Sequence, residues 1–137
     1  MSEYRPGVFV WRELMTPDAQ KARAFYAELL GWTYQDVPMG DVTYTLVHKG
    51  EAQIAGIMEM KDSPHPPHWM SYVSVEDVDA AAKRAGENGG TVAVAPQDIP
   101  NIGRFAVIGD PDHAYVSLFK SADGDAPARQ PGVGEFC

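Results

Sequence analysis

A chain of 137 residues with 45% apolar side chains has the size of one domain that folds around its own core. Its 11 basic residues against 19 acidic ones leave a formal charge of −8 without any basic run, which argues against nucleic acid and anionic membrane surfaces as partners. The single cysteine, Cys137, allows no intrachain disulfide, no apolar run approaches the ~20 residues of a membrane span, and "MSEYRPG" lacks the layout of a signal peptide, so a cytoplasmic protein is expected.

In chain order, "GVFVWRELM" reads as a strand and "TPDAQKARAFYAELLGW" as a helix. Thr16 is placed to cap that helix, Pro17 suits its first position, Ala22, Phe25, Tyr26, Leu29 and Leu30 form an apolar stripe, and Gly31 ends it. Three strand-like stretches follow, "TYQDV", "VTYTLVH" and "QIAGIMEM", with turns at "VPMGDV" and "HKGEA". "KDSPHPPH" then reads as a linker, since its prolines and polar residues break any periodicity. Beyond it the pattern recurs: strand "HWMSYVSV", helix "VEDVDAAAKRAGENGG" with a stripe of Val78, Ala81, Ala82 and Ala85, then strands "TVAVA", "RFAVIG" and "HAYVSLFK". Asp18 and Asp77, Ala22 and Ala81, and Gly31 and Gly90 are each 59 residues apart, so the two halves read as copies of one supersecondary unit. The expected layout is unit one at about 6–61, linker at about 62–67, unit two at about 68–121, and a flexible tail over 122–137.

A tandem βαβββ unit with "FYAELLGW" closing its first helix, "EDVDAA" opening its second and "DPD" before its last strand resembles the vicinal oxygen chelate superfamily, which includes glyoxalase I, the bleomycin-resistance proteins and the extradiol dioxygenases. The resemblance covers about residues 6–120. It implies an α+β fold in which the two units form a curved mixed sheet around a central cup with the helices outside. Metal enzymes of that superfamily carry one ligand on the first strand and one on the last strand of each unit. Matched by motif, the first-strand positions hold Trp11 and Met70, each seven residues before the helix-capping aspartate, and the last strand holds Ser117. An offset of 59 from Ser117 lands on Met58, within a residue or two. Trp, Met, Met and Ser do not supply the hard or borderline donors of such a site, so no metal and no other cofactor is expected.

Strand parity then assembles the face that the resemblance makes concave: Phe9, Trp11 and Glu13 from the first strand, Met58 and Met60 from the fourth, Met70 and Tyr72 from the fifth, Phe105 from an inner strand, and Tyr115, Ser117 and Phe119 from the last. These side chains either fill the cup as core or line a pocket. Tyr72, Tyr115, Ser117 and Glu13 favour the pocket, because each would need a partner in a closed core. Glu13 is the candidate catalytic residue, as a hydrogen-bond acceptor with burial acting on its carboxyl; alternatively it is a rim residue neutralised by Arg12 or Arg104. "HPPH" has ligand-like spacing, but a proline-rich linker does not force His65 and His68 to the same side.

Two functions follow. The first is a metal-independent module, more binding protein than enzyme, that takes an apolar or aromatic small molecule. The second is a divergent metal-dependent lyase, isomerase or dioxygenase that recruits Glu13 and a histidine. The linker permits closure within one chain or exchange between two, which would give a homodimer.

Overall fold

The computed structural model describes residues 4–39, 41–100 and 102–124. Most of the expected tail and Cys137 lie outside these residues. The elements run β1 (Phe9–Thr16), α1 (Ala19–Leu30), β2 (Thr33–Met39), β3 (Val42–Lys49), β4 (Ala52–Glu59), β5 (His68–Ser74), α2 (Val78–Glu87), β6 (Thr91–Ile99), β7 (Gly103–Gly109) and β8 (Tyr115–Ser121). This is the α+β tandem of two βαβββ repeats. In each repeat the first strand pairs in parallel with the fourth, while the other neighbours are antiparallel, giving the orders β2-β3-β4-β1 and β5-β8-β7-β6.

The repeat is most exact at its helix starts. Asp18 and Asp77 are both extended and cap their helices, accepting at 3.0 Å from the amides of Lys21 and Ala80. The cap expected at Thr16 is therefore Asp18. Thr16 instead ends β1, and its Oγ1 accepts from the Asp18 amide at 3.3 Å. The helix ends differ. Gly31 takes the left-handed conformation (φ 72°) that stops α1, whereas after α2 the left-handed residue is Gly89 (φ 87°), one position ahead of the Gly90 that the offset of 59 selects.

The described residues fall into two compact units, 12–69 and 4–11 with 70–124. In the first, Leu14, Trp32, Val47, Ile54, Ala55 and Ile57 form the core under α1. Each large aliphatic among them contributes roughly 1.5–3 kcal/mol by leaving water. A bulge in β4 helps: Val47 pairs with Ala55 but His48 with Gln53, so Ile54 is the extra residue, and it and Ala55 both join the helix-side core. Tyr26 stacks on Trp32 (centroids 5.0 Å apart) and meets Trp69 edge-on at 5.7 Å, and the Trp69 indole donates to its hydroxyl at 3.3 Å. The stripe that α1 turns to the sheet is Ala19, Ala22, Tyr26 and Leu30. Phe25 and Leu29, expected in it, sit about 100° off that line and are 60% and 61% exposed.

In the other unit, Val78 and Ala82 of α2 pack on Ala106 and Leu118, with Val75, Ala81 and Ile108 around them. The N-terminal segment pairs here. The Gly7 amide donates to the Ser74 carbonyl at 2.8 Å, the Ser74 amide donates to that of Val8 at 2.9 Å, and the Tyr4 hydroxyl donates to that of Ser121 at 2.8 Å. Among the described residues no helix is long and apolar enough to cross a membrane.

Candidate functional site

In the first repeat, the parallel register sets Glu13 of β1 opposite Gly56 of β4 and Met15 opposite Met58. Leu14 belongs to the core under α1, so alternation turns Glu13, Met15 and Met58 to the other face of the sheet. Across β4 on the same face, Gly56 pairs with Leu46 of β3, and Tyr44 stands two residues along. Gly56 is where the strand has no side chain to offer, and Tyr44 uses the gap: a Cβ built on Gly56 would fall inside the Tyr44 phenol. Glu13 is only 6% exposed there, an uncommon depth for a carboxyl group. Met58 is half-buried, Met60 lies past the end of β4 at 38% exposure, and Phe9 at the start of β1 is 57% exposed. Trp11, half-buried, is the last residue of the N-terminal segment that clusters with the second repeat.

The two arginines expected as neutralising partners each contact other residues. Arg12 points away from Glu13 by strand alternation, and its Nη1 donates to the Ile54 carbonyl at 3.1 Å. Arg104 grips Asp79 with two bonds of 2.7 and 2.8 Å and Asp98 with a third of 2.9 Å. That pairing holds the Asp79 carboxyl below the usual aspartate range and raises the arginine further still.

In the second repeat the same parallel pairing sets Tyr72 of β5 opposite Ser117 of β8, and Ser74 opposite Phe119. Phe105 of β7 faces Phe119, and Tyr115 faces Gly109. With Leu118 and Ala106 committed to the α2 core, Tyr72, Ser74, Phe105, Ser117 and Phe119 share the opposite face. Tyr72 and Phe119 meet edge to face, centroids 5.8 Å apart. Ser117 is 1% exposed, Met70 and Phe105 are half-buried, and Tyr115 is 51% exposed at the strand's open end. Ser74 is fully buried, and its hydroxyl has no hydrogen-bond partner.

The two registers correct one equivalence. Tyr72 faces Ser117, and 59 residues earlier Glu13 faces Gly56, so the counterpart of Ser117 is Gly56 rather than Met58. The β4 bulge and unequal turns shift the last strand by two residues, which preserves the face. The positions that the resemblance matches to the ligands of the superfamily's metal enzymes are thus Trp11, Gly56, Met70 and Ser117. Among the described residues no three His, Cys, Asp or Glu side chains gather as a metal site. His65 and His68, whose linker does not by itself force them to the same side, both line one small cavity. They line it with Met15, Met60 and Pro66, and its volume of about 10 Å³ is about the space of one water. His68 Nδ1 donates to the Pro66 carbonyl at 2.8 Å.

Tyr44 and Ser74 were not among the sequence-derived candidates. An interior glycine in "QIAGIMEM" is the signal that leads to Tyr44, because a glycine inside a strand often marks where another group comes close. No sequence signal distinguishes Ser74 from any strand-end serine.

The family profile of the Glyoxalase/Bleomycin resistance protein/Dioxygenase superfamily matches residues 8–118. CFP32 of Mycobacterium tuberculosis is 38% identical over 117 residues, 85% of this chain and 45% of its own length. The anthracycline biosynthesis protein DnrV of Streptomyces peucetius is 37% identical over 120 residues, 87% of this chain and 43% of its own. The chain therefore spans less than half the length of these relatives. Methylmalonyl-CoA epimerase from Mycobacterium tuberculosis superposes with a TM-score of 0.60 at 16% identity, covering 93% of this chain and 94% of its own, which is a likeness of fold.

Proposed function

The chain belongs to the Glyoxalase/Bleomycin resistance protein/Dioxygenase superfamily, and we propose that it binds an apolar or aromatic small molecule without a metal. The observation that carries this reading is the make-up of the sheet faces turned away from the helices. In one repeat a single deeply buried acid, Glu13, stands among methionines and Tyr44; in the other, Ser117 stands among Tyr72, Phe105 and Phe119. An apolar surface with a few fixed polar groups is the ordinary make-up of a small-molecule site, and thioethers and aromatic rings adapt to flat apolar ligands. Trp, Gly, Met and Ser at the superfamily's ligand positions support binding without a hard divalent ion. Anthracyclines, whose biosynthesis gives DnrV its name, are fused-ring aromatic molecules and belong to the ligand class proposed.

Calorimetric titration of 1-naphthol into chelator-treated protein tests this. Saturable one-to-one binding, unchanged when divalent metal is added back, is the expected result. Binding that vanishes on chelation and returns with Zn²⁺, Ni²⁺ or Mn²⁺ would refute metal independence, and a panel of fused-ring aromatics with no saturable member would refute the binding reading itself.

A further inference from the structure

We propose that the small cavity between the end of β1, the end of β4 and the "KDSPHPPH" segment is a site for one soft monovalent cation, Cu(I), held by Met15, Met60, His65 and His68. This goes beyond the aromatic-binding reading and does not depend on it. All four residues line the same cavity of about 10 Å³, room for one water or one ion. Among the described residues no carboxylate, lysine or arginine lines it. The chain brings the four there by separate routes. Met15 lies on β1, and the Met60 amide donates to the Thr16 carbonyl at 2.8 Å, which holds the residue after β4 beside the end of β1. His68 is the first residue of β5. Pro66 and Pro67 fix two φ angles between the histidines, and the Ser63 hydroxyl accepts from the His65 amide at 3.1 Å, so both imidazoles hang from a stiff turn.

The donor set selects the ion. Thioethers are soft ligands that suit Cu(I), imidazoles suit copper as well, and the hard ions Mg²⁺, Ca²⁺ and Mn²⁺ want carboxylate or carbonyl oxygens instead. Four neutral donors leave the ion's charge uncompensated, which favours one positive charge over two. His68 already has the arrangement usual in metal-bound histidines, in which the other ring nitrogen donates to a backbone carbonyl or carboxylate. Its Nδ1 donates to the Pro66 carbonyl at 2.8 Å, so in the neutral ring the lone pair is on Nε2. His65 is exposed and Met60 is 38% exposed, which gives the ion a path in from solvent. Two of the four donors are thioethers, so no group of three His, Cys, Asp or Glu marks the place among the described residues.

The test uses the full chain carrying Cys137→Ser, which removes its only thiol, a competing soft ligand. Cu(I) kept reduced with ascorbate under argon is titrated against the coloured chelator bicinchoninate, and Ag(I) serves as a second soft probe without redox chemistry. One equivalent of Cu(I) should be withdrawn from the chelator, and excess Mn²⁺ or Mg²⁺ should not displace it. Met15→Leu, Met60→Leu, His65→Gln and His68→Gln, each first checked for a native unfolding transition, should each weaken Cu(I) binding at least about tenfold. His113→Gln, in the other compact unit, should leave it unchanged. In NMR spectra of the methionine methyl groups, the Met15 and Met60 signals should shift on adding one equivalent of Ag(I), ahead of those of the other methionines. No withdrawal of Cu(I), or a one-to-one affinity that all four variants keep, would overturn the proposal. So would methyl shifts confined to other methionines. Should Met15→Leu not fold, Met60→Leu and His65→Gln, at exposed positions, still decide the matter.

Discussion

Gly56→Ala should destabilise this protein, and only because of Tyr44. Gly56 has no positive φ, so its backbone suits alanine, and in a strand interior alanine is ordinarily better than glycine by about 0.5–1 kcal/mol. Here the added methyl would overlap the phenol of Tyr44, between the fully buried neighbours Ala55 and Ile57, so the ring must leave its seat or the strands must part. Overpacking of this kind costs about 1–3 kcal/mol. In a Tyr44→Ala background the obstruction is gone, and the same Gly56→Ala change should become neutral or stabilising by about 0.5 kcal/mol. The double-mutant cycle therefore closes with a coupling of about 1 kcal/mol or more, above the few tenths seen between independent sites. Urea denaturation of the four proteins measures it, read as shifts in midpoint at constant slope. If Gly56→Ala costs the same with and without Tyr44, the glycine is serving something other than the phenol, and the argument for Tyr44 as a positioned residue collapses.

Two further outcomes bear on polar groups outside that pair. Ser74→Ala removes a buried hydroxyl with no partner and should raise stability by about 1 kcal/mol, whereas a loss of that size would reveal a water or other group bound to it. Asp79 should make stability depend on acid. Arg104 lowers its folded pKa, so its contribution is complete above the unfolded value and is lost as pH falls through the folded one, below about pH 4. Asp79→Asn should therefore flatten the decline in urea midpoint between pH 5 and pH 2.5. Because the pair is exposed, 1 M salt should shrink the difference between wild type and variant, and a decline of the same steepness in both proteins would contradict the assignment.

Much of the fold could be read from local chemistry because each repeat writes its own boundaries. Alternating strands, two aspartate caps 59 residues apart and glycines after the helices are signals set within a few residues of where they act. Thr16 and Asp18 both carry side-chain acceptors suited to a cap, and only the length of β1 decides between them. The α1 stripe is narrower than its apolar residues for a similar reason: Phe25 and Leu29 are apolar, but periodicity does not say how much of a helix its sheet can cover. The pairing of strands is a different kind of information. Which residue of β4 faces Glu13 depends on a bulge at Ile54 and on turn lengths that no repeat offset records, so arithmetic chose Met58 where the ladder places Gly56. That shift of two residues keeps the face and changes its meaning. At Met58 the superfamily's last-strand position would read as one more apolar lining residue. At Gly56 it is a gap, filled by a phenol that sequence order places twelve residues away, next to the most deeply buried acid among the described residues. A glycine at this place in the ladder thus opens the seat that Tyr44 takes, on the strand position paired with Glu13.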